Sequence, residues 1–257
     1  MAVSSLQGGA ECPTGRKVVW RGDMGRPGWL ETWDPGARFL YGADNVSLVE
    51  EAPFDRVLRV VYPAGSSSSS YAREGHPMGG LEFKARLAAS GDARSIYLSY
   101  WLRFAPNFRW VKGGKLPGLC GGSCPSGGKE VTGRGGWSMR FMWRPGGEGE
   151  VYAYVLPAQA YGTELGLGKW TFSTGAWHRM AEEIVLNSGG AANGVSRVWF
   201  DADPAGPPTF EAKDLTYRLD DTPADTLFFS TFFGGHDAAW ATPVDTYVDF
   251  ANFVMCR

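Results

Sequence analysis

The sequence predicts an all-β fold, a jelly-roll sandwich built from two antiparallel sheets. The chain contains 11 Trp, 10 Tyr and 15 Phe residues, and aromatic side chains favour strands over helices. It also contains 36 Gly and 16 Pro residues, which imply many turns. No stretch of about 12 residues shows the periodicity of a helix. Many short strands separated by turn residues are typical of a two-sheet sandwich of this type.

The predicted strands follow one another along the chain. Early strands are expected at residues 17–20, 56–62, 80–86 and 95–104, the last of them long and mostly buried. Later strands are expected at residues 136–143, 150–154, 177–186, 196–201, 227–233 and 245–255. Runs rich in glycine and proline separate them, and no internal repeat is visible. We expect one domain over residues 1–257, with residues 1–15 as a flexible N-terminal segment.

The charge and hydropathy of the chain exclude several classes of partner. A formal net charge of −2 provides no overall basic field for nucleic acid or for an anionic membrane. No apolar run is long enough to span a bilayer, and the first residues carry no signal-peptide pattern. We expect no nucleic-acid partner, no membrane partner and a monomeric protein.

The four cysteines, Cys12, Cys120, Cys124 and Cys256, are an even number that allows two disulfides in three connectivities. Two of them lie near the chain ends, which a sandwich often brings together, so we favour Cys12–Cys256 with Cys120–Cys124. Four free thiols in a cytosolic protein are the alternative. A zinc site is less favoured, because no second Cys or His pair has ligand spacing. Disulfides favour an extracellular protein.

Residues 136–155 predict a hairpin with two unlike faces. Alternate residues of a strand point to opposite faces, and a Pro-Gly-Gly turn at 145–147 joins the two strands. The apolar face carries Trp137, Met139, Phe141, Trp143, Val151, Ala153 and Val155. The other face carries Ser138, Arg140, Met142, Tyr152 and Tyr154. Lys115, in the glycine-rich segment just upstream, can join that second face. A guanidinium, an ammonium and two phenols on an open sheet face suit a sugar acid.

These motifs resemble polysaccharide lyase family 14, which contains alginate and glucuronan lyases and shares its fold with the family 20 glucuronan lyases. The resemblance rests on Lys112-Gly-Gly-Lys115-Leu-Pro-Gly-Leu, Trp137-Ser-x-Arg140-x-Met-Trp143 and Tyr152-x-Tyr154. The segment Phe232-Phe-Gly-Gly-His236-Asp237 adds to it, and the similarity runs from about residue 98 to residue 253. The resemblance implies a cleft across one concave sheet and eliminative cleavage of an acidic polysaccharide, either glucuronan or alginate.

The resemblance also implies the site residues. The essential lysine, serine, arginine and tyrosine pair of the family carry over onto Lys115, Ser138, Arg140, Tyr152 and Tyr154. The sequence departs from the family pattern in one place, an insert at residues 120–128 that contains both Cys120 and Cys124. We expect this insert to reshape one rim of the cleft.

The chemistry of β-elimination requires such residues independently. The proton on C5 of a uronate is weakly acidic, and cations at the carboxylate stabilise the enolate-like transition state. Arg140 offers a planar fork to the carboxylate, with Lys115 as a second charge. A base and an acid must then move protons, and we assign these steps to Tyr152 and Tyr154, whose phenolates nearby cations should favour. Lys115 is a rival base, and Ser138 would orient the carboxylate or a sugar hydroxyl.

Other residues are weaker candidates. His236, in a Gly-Gly-His-Asp loop, and His76 are predicted as substrate contacts, whereas His178 at a strand start is more typical of a structural residue. No cofactor is expected. Asp201 and Asp203 could hold a structural calcium ion, but no dense run of oxygen ligands accompanies them.

Three alternative interpretations remain at this point. Arg140 could form a surface ion pair with Glu148 or Glu150, and the tyrosines could merely pack across strands. A glycoside hydrolase would need two carboxylates on opposite sides of the scissile bond, and these two glutamates lie on one strand beside a turn. A non-catalytic carbohydrate-binding module would expose tryptophans, whereas Trp137 and Trp143 are predicted to face the core.

Overall fold

The computed structural model describes residues 12–22, 24, 28–86 and 94–257. In this part of the chain fifteen strands form two antiparallel sheets that pack face to face. Two short helices, α1 (Trp29–Trp33) and α2 (Ser69–Ala72), lie in connections between strands. None of the described helices is long and apolar enough to cross a membrane. The predicted all-β fold with two antiparallel sheets is confirmed.

We call the first sheet the outer sheet, and within the described residues it has eight strands. Its strands are β1 (Val18–Arg21), β3 (Val46–Glu51), β4 (Phe54–Tyr62), β6 (Ser95–Phe104), β11 (Trp177–Val185), β12 (Gly194–Phe200), β13 (Phe210–Leu215) and β15 (Thr246–Cys256). The spatial order is β13-β12-β11-β6-β15-β4-β3, and β1 pairs with β15. Long β-branched and aromatic runs explain why β6 and β15 lie at its centre.

We call the second sheet the cleft sheet, and the described residues give it seven strands. They are β2 (Phe39–Tyr41), β5 (Leu81–Arg86), β7 (Gly114–Gly122), β8 (Gly136–Trp143), β9 (Gly149–Tyr154), β10 (Thr163–Leu165) and β14 (Thr226–Phe233). The spatial order is β10-β9-β8-β7-β14-β5-β2. The hairpin predicted from the sequence is therefore the β8–β9 pair, and β7 pairs with the edge of β8 that faces away from β9.

The main core fills the space between the two sheets. Alternate residues of β6, among them Leu98 and Leu102, point inward from the outer sheet. Trp137, Phe141 and Val151 point inward from the cleft sheet, as their alternation predicts. Burial of these apolar faces leaves the opposite face of β7, β8 and β9 available for polar residues.

Several strands were not predicted, for identifiable reasons. Strand β7 contains Pro117 and four glycines, residues that favour turns over sheet interiors. It is nevertheless central, because an irregular register between Leu116 and Leu119 accommodates the proline. Four further strands, β2, β3, β10 and β13, are only three to six residues long and carry a weak sequence signal.

The predicted disulfide connectivity is confirmed. Cys12 is bonded to Cys256 at the end of β15, and Cys120 is bonded to Cys124. Part of the predicted flexible N-terminal segment, residues 1–11, lies outside the described residues. Cys12 itself is covalently anchored to the outer sheet rather than free.

Candidate functional site

A cleft of about 640 Å³ lies on the polar face of the cleft sheet. The strands and their ends contribute Tyr41, Glu82, Lys115, Arg140, Arg144, Tyr152, Tyr154 and Phe232. Loops and α2 contribute Ser68, Ser69, Ser70, Arg73, Ser126, Gly127, Tyr161, Gly235, His236 and Trp240. The structure therefore gathers all four predicted catalytic residues and one of the two predicted histidines in one cleft.

Strand register explains why these side chains meet. Arg140 of β8 is directly opposite Tyr152 of β9, and Ser138 is opposite Tyr154. Directly opposed residues of an antiparallel pair point to the same face, so each arginine or serine lies beside a tyrosine. On the other side of β8, Lys115 of β7 is opposite Met142. The common face predicted from alternation is thus confirmed.

Lys115 lines the cleft but is largely buried, against a thioether and an aromatic ring. Only 9% of the residue is exposed, and its Nζ lies 2.8 Å from Met142 Sδ and 4.2 Å from the centre of the Tyr152 ring. Burial lowers the pKa of Lys115 well below its ordinary value, and the positive charges of Arg140 and Arg144 lower it further. An amine in this environment loses its proton more readily than an exposed lysine does.

Arg140 is also almost fully buried, with 2% exposure. One guanidinium nitrogen donates to Ser230 Oγ at 3.1 Å, and the carbon Cζ lies 4.7 Å from the centre of the Phe228 ring. Its Nε is buried with no hydrogen-bond partner among the described residues. Ser230 in turn donates to Glu82 Oε2 at 2.8 Å, so the nearest acidic group reaches Arg140 only through a hydroxyl.

Burial lowers the pKa of Arg140, although an arginine stays protonated at any working pH. Within the described part of the chain, neither Lys115 nor Arg140 has a carboxylate within ion-pair distance. Two buried cations without a direct counterion are costly unless an anion completes the site.

The two tyrosines differ in their surroundings. Tyr152 is partly exposed to the cleft, whereas Tyr154 is buried and its Oη accepts a hydrogen bond from the Gly128 N–H at 3.0 Å. The two rings meet edge to face, with centroids 5.7 Å apart. Burial raises the pKa of Tyr152, and the interaction with Tyr154 raises it further. Arg140 and Arg144 do favour the Tyr152 phenolate, as expected of nearby cations, but burial outweighs them.

Ser138 and His76 do not line the cleft. The Ser138 hydroxyl is fully buried and donates to the Pro125 carbonyl at 2.6 Å, so it supports the adjoining loop rather than facing open space. His76 is exposed and stacks on Tyr71 with ring centroids 3.7 Å apart. His236 is exposed at the cleft. A role for Ser138 or His76 as a direct substrate contact has no support from this geometry.

An ion-pair group beside Lys115 was not predicted. Arg144, which follows β8, forms ion pairs with Glu150 and with Glu164. The suggested pairing of Arg140 with Glu148 or Glu150 is therefore wrong, since Arg144 takes Glu150 instead. Among the described residues that line the cleft, Glu82 is the one acidic side chain.

The carboxylates suggested as calcium ligands, Asp201 and Asp203, form hydrogen bonds with other protein groups. Asp201 bonds to His178 Nδ1 at 2.7 Å and accepts from the Arg179 N–H, and Asp203 accepts from the Ala205 N–H. These bonds place His178 in a structural role, as predicted. Within the described ranges, no group of three His, Cys, Asp or Glu side chains is arranged to hold a metal ion.

Several cleft residues lie far apart in the sequence and were missed. They include Tyr41, Glu82, Arg73 and Trp240, and also Ser230, which is buried behind the cleft lining and bonds to Arg140. Alternation within β14 predicts that Ser230 points to the face of the sheet away from the core, since Phe229 and Phe233 point into the core. Nothing in the sequence of that strand indicates that Ser230 adjoins Arg140. Only the pairing of distant strands reveals these neighbours.

Comparison with known families and structures gives a consistent result. The family model described as polysaccharide lyase 14 matches residues 50–253. A crystal structure of a marine PL-14 alginate lyase from Aplysia kurodai is 30% identical, with 93% of this chain and 98% of that chain covered and a TM-score of 0.79.

Two more distant structures share the fold. The alginate lyase vAL-1 from a Chlorella virus is 19% identical, covers 93% of this chain and 99% of its own, and has a TM-score of 0.74. An endo-β-1,4-glucuronan lyase from the fungus Trichoderma reesei is 15% identical, with 93% and 95% covered and a TM-score of 0.61. A search of curated proteins found no match.

Proposed function

The chain belongs to polysaccharide lyase family 14 and is a polyuronate lyase, and we propose that it cleaves 1,4-linked alginate or glucuronan by β-elimination in the cleft described above. The observation that carries this proposal is the pair of buried basic side chains, Lys115 and Arg140, neither of which has a direct carboxylate partner. A uronate carboxylate supplies the missing negative charge. The product is a sugar with a 4,5-unsaturated uronate end.

Arg140 is proposed to bind the carboxylate of the sugar to be cleaved. Arg140 lines the cleft, and its planar guanidinium can donate two parallel hydrogen bonds to a carboxylate. As the C5 proton leaves, negative charge spreads onto that carboxylate. A fixed guanidinium in a water-poor cleft stabilises this charge more than bulk water would.

Lys115 is proposed as the base that takes the C5 proton. Its lowered pKa makes the neutral amine available at a lower pH than in an ordinary lysine. The proton on C5 moves to Nζ, the electron pair forms the C4–C5 double bond, and the C4–O bond breaks. The assignment differs from the initial preference for tyrosine as base, because the pKa of Tyr152 is raised rather than lowered.

Tyr152 is proposed as the acid that protonates the departing oxygen. Its raised pKa keeps the phenol protonated, which an acid requires. Tyr152 is partly exposed to the cleft and lies beside both Arg140 and Lys115. Tyr154, buried next to it, holds the phenol in place.

Ultraviolet absorbance tests the reaction. The purified protein should generate the absorbing 4,5-unsaturated uronate from at least one of polymannuronate, polyguluronate and glucuronan. A hydrolase would release reducing ends without this absorbance, and a carbohydrate-binding module would release neither. Reducing ends without absorbance on every polymer would therefore contradict elimination. The Aplysia relative, named an alginate lyase, makes the two alginate blocks the first substrates to test.

We also propose that the protein acts outside the cell, since both described disulfides persist in oxidising surroundings. Mass spectrometry of the native protein without reductant should show no alkylatable thiol. Four alkylatable thiols in freshly isolated protein would contradict both the disulfides and this location.

A further inference from the structure

A loop closed by a disulfide adjoins the candidate site. Cys120 lies in β7 and Cys124 follows two residues after its end, so their bond closes a tight turn. The Cys124 backbone has φ of 50°, which is uncommon for a residue other than glycine. The chain continues from this turn through Ser126 and Gly127, which line the cleft. The turn thus determines where the cleft-lining part of the loop begins.

Three further contacts hold the loop. Ser138 of β8 donates to the Pro125 carbonyl at 2.6 Å, from beneath. Lys84 of β5 donates to the Ser123 carbonyl at 2.9 Å. The Phe228 side chain packs against the two cysteines in a small buried cluster. The loop is therefore fixed to three strands of the cleft sheet, β5, β8 and β14.

The loop delivers one hydrogen bond to a proposed site residue. The Gly128 N–H donates to Tyr154 Oη at 3.0 Å. Gly127 and Gly128 both have positive φ, at 63° and 79°, a conformation that glycine adopts without strain and that directs this N–H. Tyr154 thus links the loop to Tyr152, since its Oη accepts from the loop and its ring contacts the Tyr152 ring.

We infer that the loop from Cys120 to Gly128 is a positioning element for the reaction. It fixes Tyr154 Oη, and through Tyr154 it fixes the acid Tyr152. The inference rests on the proposed function and deepens it. Neither the disulfide nor the Gly128 N–H reaches the reacting atoms, so both act only through the tyrosine pair.

The test compares the two disulfides of the same protein. In C120A/C124A the loop loses its covalent closure, and kcat should fall about tenfold with KM changed less than about twofold. The matched control is C12A/C256A, which removes the bond between distant parts of the chain. That variant should lose melting temperature while keeping kcat. A normal kcat in folded C120A/C124A would overturn the inference.

A double-mutant cycle shows whether the loop acts through the tyrosine. The same opening of the loop is made in the Tyr154→Phe background, where the accepting oxygen is absent. The residual kcat should then change less than about twofold. An equal fractional loss in both backgrounds, or a loss carried by KM alone, would show that the loop does not position Tyr154.

Two further measurements keep the inference testable if C120A/C124A does not fold or if no activity is found. If C120A/C124A does not fold, Ser138→Ala releases the loop at Pro125 and enters the same cycle. Amide hydrogen exchange at Gly128 requires no activity, and it should become faster in Tyr154→Phe. Equal exchange in wild type and Tyr154→Phe would refute the hydrogen bond. Absence of unsaturated product from the wild type on every polyuronate would instead refute the proposed function, and exchange would still report on the loop.

Discussion

The two sheets each carry a group of cations, and the groups are built in opposite ways. On the outer sheet, Asp249 accepts hydrogen bonds from Arg59 and from Arg103, each at 2.7 Å. On the cleft sheet, Lys115 contacts a thioether sulfur and Arg140 contacts a serine hydroxyl. Both groups lie on one face of a sheet and bond to residues of other strands in the same sheet, so strand geometry alone does not distinguish them.

The pKa values separate the two groups. A hydrogen bond to Asp249 raises the pKa of Arg59, whereas burial lowers the pKa of both Lys115 and Arg140. The two arginines of the outer group are therefore neutralised by two carboxylates, Asp249 and Glu51, and the group stabilises the sheet. The cleft group keeps unbalanced charge in a buried place, which costs stability unless an anionic ligand binds. The functional face is therefore distinguished by buried basic groups that lack a carboxylate partner, and not by the presence of cations alone.

The largest effect is expected from Lys115→Met, which removes the proposed base and its charge. Turnover should fall by about 10²- to 10⁴-fold. The same change should raise the melting temperature at neutral pH, because the burial that lowers the pKa of Lys115 costs stability below pH 10.5, and an apolar side chain avoids that cost. Thermal unfolding and initial rates measure the two effects, and Lys213→Met, at an exposed lysine of the outer sheet, is the control that should change neither.

The sign of the pH dependence is fixed by the direction of the Lys115 shift. Its pKa is lowered on folding, so between that value and the ordinary lysine value of 10.5 the unfolded chain binds more protons. The stability penalty is complete below the lowered pKa and disappears as the pH approaches 10.5. The advantage of Lys115→Met over wild type should shrink across that window, and a constant advantage would show that the folded lysine is not perturbed.

Arg140→Ala tests the second buried basic residue of the cleft sheet. The change removes the donor proposed to stabilise the growing charge, and kcat should fall about 10²- to 10³-fold with the fold retained. Arg103→Ala is the matched variant on the outer sheet. It should leave kcat unchanged but lower the free energy of unfolding by about 1–3 kcal/mol, because Asp249 is buried and loses a partner. Near-normal rates in Arg140→Ala would contradict the proposed charge stabilisation.

Tyr152→Phe tests the assignment of acid and base. The ring that contacts Lys115 remains and only the hydroxyl is lost, so kcat should fall about a hundredfold while KM changes little. The rate of the variant should still rise with pH as Lys115 loses its proton, because Lys115 remains the base; this rise is the alkaline limb of the pH–rate profile. Loss of that limb in Tyr152→Phe or Tyr154→Phe would make a tyrosine the base. A limb near pH 6.5 that disappears in His236→Ala would point to histidine.

The sequence predicted the parts of the site that lie on one hairpin. Alternation alone placed Arg140, Tyr152 and Tyr154 on a common face, because the period of a strand is fixed at two residues. It did not predict that β7 is a strand, since Pro117 and the glycines favour turns. It also missed the link from Arg140 through Ser230 to Glu82, because which strands become neighbours depends on the packing of the whole sheet.

The direction of the tyrosine pKa shift shows a second limit of sequence reasoning. The sequence revealed the cations near Tyr152 but not how deeply the phenol is buried. Burial and charge act in opposite directions on a phenol, and only the folded structure shows which is larger. The same applies to Lys115, whose burial was not evident from a glycine-rich segment.

The smallest effect is expected from Arg73→Ala, which tests whether an exposed positive charge in the cleft contributes to substrate binding. Arg73 follows α2 and lines the cleft, but its side chain is exposed, so solvent and salt screen its attraction for a polyuronate. KM should rise about two- to threefold at low ionic strength, kcat should not change, and the difference should vanish in about 0.5 M salt. Lys213→Ala, with its partner Glu211 on the outer sheet, should have no effect on KM. A loss in kcat, or a KM effect that survives high salt, would place Arg73 in direct contact with a bound sugar and would show that burial is not the property that separates catalytic cations from the rest.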